Sequence, residues 1–156
     1  MSLYNVPTPV SHQDSANLVD VIFTNFEYLS NNTELKHNKT ELYRLVTSPS
    51  AKIYFILDDT KRVMAYLVGE IMTLNDGRLV FYVSYLYTAS MYRNKGVASM
   101  LMAYVDVYAK KMLYDGVMLT TDTSNVSLMH FYESRGFVRD VLLRRYARYD
   151  VMYKVV

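Results

Sequence analysis

The chain is predicted to fold as an α/β domain, a mixed sheet with helices on both faces in the order β-α-α-β-β-β-α-β-α-β-β. Three observations carry this expectation. Between residues 52 and 87, three apolar stretches are separated by short polar turns, the pattern of antiparallel strands. On either side, apolar residues recur at helical spacing. The third stretch then enters a helical pattern through the basic loop Tyr92-Arg93-Asn94-Lys95-Gly96-Val97-Ala98. The length of 156 residues suits one domain spanning 1–156, large enough for a core without covalent staples.

Each element has its own signal. Leu3 to Pro9 suits a short edge strand, since Pro7 and Pro9 demote anything longer. Ser11 and Asp14 form a capping pair ahead of a helix whose stripe is Leu18, Ile22, Phe26 and Leu29, with Val19 and Phe23 beside it. A second, weaker helix covers about Thr33 to Val46 and is stopped by Ser48-Pro49-Ser50. Strands follow at Lys52–Leu57, Val63–Thr73 and Leu79–Tyr87, joined by the turn Asp58–Lys61 and the hairpin signal Asn75-Asp76-Gly77. Val97, Met100, Leu101, Tyr104, Val105, Tyr108 and Met112 mark the next helix, with Lys110 and Lys111 in its last turn. Val117–Thr121 is a strand. Asp122 to Asn125 is a capping cluster for a helix reaching about Arg135, which Gly136 stops. Phe137–Arg145 and Tyr149–Val155 close the sheet.

Composition narrows the functional classes. Cysteine is absent, which removes disulfides, a thiol nucleophile and thiolate metal ligands. His12, His37 and His130 are scattered, so no metal site is expected. A net charge of +2 makes no general case for nucleic acid. The N-terminus lacks the layout of a signal peptide, and no apolar run reaches the length of a membrane span. A cytoplasmic chain without membrane partners is expected.

The basic loop is the first candidate site. A strand that turns into a helix through a glycine-bearing basic loop aims backbone N–H groups and the helix N-terminus at an anion. With one glycine, the loop matches neither the nucleotide P-loop nor the dinucleotide fingerprint. A second motif follows the next strand: Asn125, then Tyr132 seven positions later, then Gly136-Phe137. Seven residues are about two helical turns, so Asn125 and Tyr132 share a face.

Together these motifs resemble the GNAT superfamily of N-acetyltransferases. The family's Arg/Gln-x-x-Gly-x-Gly/Ala is matched by Arg93, Gly96 and Ala98, and its preceding pattern by Leu86, Tyr87 and Tyr92. Ser90 stands where proline is common and Thr88 where valine is common. The later Asn…Tyr…Gly-Phe is matched by Asn125, Tyr132, Gly136 and Phe137, with Leu128 in place of a small residue. The sequence match covers about Leu86 to Phe137, and the element order agrees over nearly the whole chain.

The resemblance implies a splayed, mostly antiparallel central sheet and acetyl-CoA as acetyl donor. Backbone amides of Arg93, Asn94, Lys95, Gly96, Val97 and Ala98 would hold the pyrophosphate, with charge from Arg93 and Lys95. Leu86, Tyr87 and Thr88 would line the pantetheine arm, and a backbone N–H near Ser84 or Leu86 would polarise the thioester. Asn125 would anchor the pantetheine amide. Tyr132 would give the leaving thiolate its proton, since a phenol near ~10 and a thiol near ~8.5 are close in acidity. Glu70 is the first candidate for general base and Asp122 the second, while His130 lies off the Asn125 face. A water chain to solvent is a further route for the amine proton.

The resemblance implies a small-molecule amine or a peptide as acceptor, held by the first two helices and the closing hairpin. Phe26, Tyr28, Tyr146, Tyr149, Arg144, Arg145 and Arg148 are the candidate contacts there. A monomer or homodimer is expected. The alternative is a non-catalytic acyl-CoA-binding or regulatory module on the same fold.

Overall fold

The computed structural model describes residues 1–29, 39–140 and 149–156, excepting the side chains of 24–29. Its elements are β1 (Ser2–Asn5), α1 (His12–Leu29), α2 (Lys39–Thr47), β2 (Ala51–Leu57), β3 (Val63–Thr73) and β4 (Leu79–Thr88). They continue with α3 (Val97–Lys111), β5 (Gly116–Asp122), α4 (Val126–Glu133), β6 (Val138–Arg139) and β7 (Tyr149–Val155). This is the expected order. The seven-stranded sheet runs β1-β2-β3-β4-β5-β7-β6. β4 and β5 are parallel, which requires the α3 crossover, and the pairs β1–β2, β2–β3, β5–β7 and β6–β7 are antiparallel.

Three boundaries differ from the sequence reading. β1 stops at Asn5 because Pro7 and Pro9 have no N–H to donate, although Val6 still bonds the Ile53 carbonyl at 2.9 Å. α4 ends at Glu133, two residues early, because Ser134 to Gly136 turn the chain out of the helix. In the closing hairpin the strand before β7 covers Val138 and Arg139, and the next residue, Asp140, still donates its N–H to the Val151 carbonyl at 2.9 Å. The start of the expected second helix, and the rest of the strand expected to reach Arg145, lie outside the described residues.

Residues form two compact units, Met1–Glu70 with Tyr85–Leu101, and Ile71–Ser84 with Met102–Val156. In the first, Ser11 caps α1 as expected, its hydroxyl accepting from the Asp14 N–H at 3.3 Å. The core gathers Val19 and Ile22 of α1, Leu42 and Val46 of α2, and Ile53, Tyr66 and Val68 of the strands. Tyr66 is fully buried, and its hydroxyl donates to the Ile22 carbonyl at 2.9 Å, tying β3 to α1. The Asp58 turn forms as expected, with Lys61 at φ +67.

In the second unit, the Leu74 N–H bonds the Arg78 carbonyl at 2.8 Å around the Asn75-Asp76-Gly77 turn, with Gly77 at φ +92. The β4–β5 ladder starts where Asp115 and Leu79 exchange two bonds. The Asp115 N–H donates to the Leu79 carbonyl, and the Leu79 N–H to an Asp115 carboxylate oxygen, both at 2.8 Å. Phe81 of β4 meets Tyr108 of α3 edge to face at 6.2 Å.

Gly116 begins β5 for lack of room. A Cβ there would lie 2.5 Å from the Lys154 carbonyl oxygen and as close to the Tyr153 ring. Backbone cannot yield as a flexible side chain can, so Gly116→Ala is expected to cost about 2–3 kcal/mol by overpacking. Urea unfolding should show a lower midpoint with an unchanged slope.

Candidate active site

The basic loop is built in the first unit. Beyond Thr88, a single 3-10 turn covers Ser90–Tyr92, and residues 93–96 lead into α3. The turn is anchored behind, where the Ala89 N–H bonds the Met64 carbonyl at 2.9 Å and the Tyr92 N–H bonds the Ala89 carbonyl at 2.8 Å. Ahead of it, Asn94 at φ +61 and Gly96 at φ +77 both take the left-handed conformation. Asparagine is among the few side-chain-bearing residues that adopt it readily, and glycine does so without strain.

A Cβ added at Gly96 would meet no protein atom within 4 Å. The glycine is therefore required by its φ angle, and the surface above it is open to a close approach. The first rung of α3 is the Met100 N–H on the Gly96 carbonyl at 3.0 Å. The N–H groups of Val97, Ala98 and Ser99 precede that rung and have no acceptor in their own helix. Buried side chains of Val97 and Leu101 hold the helix start while residues 93–96 stay exposed. The arrangement fits an anion.

The loop's side chains do less than its backbone. Arg93 folds back, its Nε donating to the Thr88 carbonyl at 3.3 Å, and Lys95 is exposed. Leu86 is half-buried. Tyr87 is buried against Tyr66, ring centroids 5.1 Å apart, so the main chain is what it offers outward. The β4–β5 ladder covers Val80–Val83 against Gly116–Leu119, and β4 continues through Ser84 to Thr88 beyond it.

Glu70, near the end of the same unit's β3, has a side chain 15% exposed. Its Oε1 accepts from an Arg44 guanidinium nitrogen at 3.2 Å, while the Arg44 Nε donates to Glu41 at 2.6 Å. Both carboxylates raise the pKa of Arg44, Glu41 most. The sequence reading missed Arg44, which lies 26 residues from Glu70 and carries no motif. It also missed Asp58, whose Oδ2 accepts from the Tyr92 hydroxyl at 3.0 Å.

The second unit carries the other motif. Asn125 caps α4, its Oδ1 accepting from the Leu128 N–H at 3.1 Å. That leaves the two side-chain N–H donors outside the capping bond. At the far end Gly136 takes φ +95, its N–H on the Glu133 carbonyl at 3.0 Å and the Phe137 N–H on the Tyr132 carbonyl at 3.1 Å. Tyr132 is buried with Phe131 at 5.2 Å and Phe137 at 5.7 Å, both edge to face. Burial alone pushes its phenol up to about 12.

Asp122 is occupied with its own turn, its Oδ1 accepting from the Ser124 N–H at 2.9 Å and hydroxyl at 2.6 Å. His130 is exposed, and Tyr149 is buried opposite Asp122 on β7. Arg144, Arg145, Tyr146 and Arg148, with the side chains of Phe26 and Tyr28, lie outside the described residues.

A family model described as the acetyltransferase (GNAT) family matches residues 18–137. The chain belongs to the GNAT acetyltransferase family. Solved structures agree on the GNAT fold. PaiA N-acetyltransferase from Thermoplasma acidophilum, in complex with coenzyme A, superposes with a TM-score of 0.71 at 17% identity over 100% of both chains. A chain of the NatC complex bound to Gag peptide and CoA gives 0.71 at 18% identity, over 100% of this chain and 99% of that one. A GNAT acetyltransferase from Staphylococcus aureus Mu50 gives 0.73 at 12% identity, over 99% of each. No curated protein matches the sequence. Among the described residues of this GNAT chain, no helix is long and apolar enough to cross a membrane.

The buried phenol has a consequence for stability. Its folded value of about 12 lies above the ordinary value of 10, so the folded state holds the proton more tightly than the unfolded state. The associated stability is complete below pH 10 and is lost as pH rises from 10 through about 12, by up to about 3 kcal/mol. Tyr132→Phe should therefore lose less stability than wild type between pH 9.5 and 11.5 in urea titrations. Equal losses would show that the phenol is not buried.

Proposed function

We propose that the protein is an N-acetyltransferase that moves the acetyl group of acetyl-CoA to a primary amine by direct attack. The observation that carries this reading is the start of α3. There three N–H groups without helical acceptors adjoin two left-handed loop residues and an open surface over Gly96. Such a cradle suits a pyrophosphate held by backbone, with Lys95 adding charge at the rim and Arg93 stiffening the base. CoA in the PaiA and NatC structures supports the same donor here.

When bound, acetyl-CoA supplies an activated acetyl thioester. The chain's residues then have separate tasks. Leu86, Tyr87 and Thr88 offer main-chain groups to the pantetheine arm, and the Asn125 side-chain amide donates to its carbonyls. Tyr132, fully protonated at neutral pH, donates to the sulfur as the carbon–sulfur bond breaks and the new carbon–nitrogen bond forms. A phenol at about 12 is a weak acid, but burial also raises the affinity of a thiolate for its proton. The two groups therefore stay close enough for the proton to pass or be shared. Glu70, directly or through water, takes the proton the amine gives up.

In this reading the protein works in the cytoplasm as a single domain, monomer or homodimer, on a small-molecule amine or a peptide. The peptide in the NatC structure supports including peptide N-termini among the acceptors tried.

CoA is expected to raise the melting temperature of the wild type by several degrees at a large excess. Gly96→Glu should abolish that shift through its φ of +77 and its charge. A wild type whose melting temperature ignores CoA would sink the reading.

A CoA-release screen over polyamines, amino acids, aminosugars and peptides should find one active class. In the active assay Tyr132→Phe should cut kcat by about 10²-fold with little change in CoA affinity. CoA binding with no release on any class would instead favour a non-catalytic acyl-CoA-binding module.

A further inference from the structure

We propose that Asp58 and Tyr92 are positioning residues for the donor site: their hydrogen bond holds the anion-binding loop at the height where its amides meet the pyrophosphate. This rests on the CoA reading above and adds residues to it. Asp58 opens the turn from β2 into β3, and Tyr92 ends the single 3-10 turn before the loop, 34 positions later. The tyrosine hydroxyl donates to Asp58 Oδ2 at 3.0 Å.

The carboxylate is itself firmly placed. Its other oxygen accepts from the Thr60 N–H and hydroxyl, each at 2.8 Å, and from the Arg62 N–H at 2.9 Å. Four donors on one carboxylate make a rigid acceptor, and they hold Asp58 well below the usual carboxylate range, at about 2. It is ionised at any working pH, so the bond from Tyr92 is charge-assisted and stronger than a neutral one.

The bond lies where the loop has least other support. Behind Tyr92 the chain is pinned by main-chain bonds from Ala89 and Tyr92. From Asn94 to Gly96 the loop is exposed and adopts two left-handed residues. Arg93 adds two longer local bonds, its N–H on the Ser90 carbonyl at 3.4 Å and its Nε on the Thr88 carbonyl at 3.3 Å, so the Tyr92 hydroxyl is the contact that ties this end of the loop to the β2–β3 turn. A cradle made of main-chain donors depends on their position, because donors set off by an ångström lose their bond geometry to the anion.

The test uses the full chain with CoA as the probe. Tyr92→Phe keeps the ring and removes the donor. It should weaken CoA binding by about tenfold in calorimetry while the melting temperature without CoA moves by no more than a degree or two. Asp58→Asn keeps the acceptor for the turn and removes the charge, so it should weaken binding by about threefold. The double variant should be no weaker than Tyr92→Phe alone.

Amide hydrogen exchange in the free protein supplies a readout independent of CoA. Exchange across residues 93–99 should speed up in Tyr92→Phe and stay unchanged in the core strands. Wild-type affinity in Tyr92→Phe, or additive losses in the double variant, would overturn the proposal. A wild type that fails to bind CoA would overturn the donor assignment instead. Hydrogen exchange would then still decide whether the bond holds the loop.

Discussion

The first N–H groups of an α-helix have no carbonyl to meet within their own helix, and in α3 those of Val97, Ala98 and Ser99 follow directly on an exposed loop. The residues around that helix start fix it in place. Val97 and Leu101 are buried and hold the helix start, while Asn94 and Gly96 take left-handed conformations in the exposed stretch that leads into it. The positive end of the helix dipole then adds to the same spot.

The second motif works by a similar economy. α4 is only eight residues long, too short to persist on its own propensity. It is held at one end by Asn125 on the Leu128 amide and at the other by the left-handed Gly136, which lets Phe137 turn back onto Tyr132. Three of the motif's four residues thus build the helix that carries the fourth. Asn125 does not have to choose between capping and ligand binding, because the cap uses its carbonyl oxygen and leaves its amide donors. The packing that positions Tyr132 also raises its pKa. The same burial that makes it a poor acid in isolation makes it a reliable hydrogen-bond donor across the neutral and mildly alkaline range.

What was legible in the sequence is what short-range chemistry writes there. The Ser11 cap, the Asp58 turn and the Asn75-Asp76-Gly77 hairpin each depend on residues within four positions and form where expected, and Gly136 is left-handed although α4 ends two residues earlier than expected. The loop and the Asn125…Tyr132 pair were legible for the same reason, since each lies on one local element. The pairs that fasten elements together were not. Arg44 on Glu70, Tyr66 on the Ile22 carbonyl and Tyr92 on Asp58 join residues 26, 44 and 34 positions apart. Nothing in the local spacing of an arginine or a tyrosine names a distant acceptor. Glu70 shows the cost, because it reads as a solvated strand carboxylate until α2 brings Arg44 to it.

The division between main-chain and side-chain work also explains how so few identical residues accompany the same fold. The donor side depends on φ angles at Asn94 and Gly96, on helix geometry at Val97 to Ser99, and on strand length at β4. Those demands restrict residue type at one or two positions and leave the others free to vary, so identity of 17–18% is compatible with a TM-score of 0.71 over the whole chain. Side chains such as Glu70 carry the opposite liability. A carboxylate works as a base only if its neighbours let it take a proton, and the Arg44 guanidinium on its Oε1 opposes that transfer. For Glu70 to act, the acceptor's arrival must loosen the pair or a water must reach the carboxylate's other oxygen. In the proposed reaction the donor half would rest on backbone already in place, while the acceptor half would rest on a side-chain carboxylate whose contact between α2 and β3 is either loosened or bypassed through water.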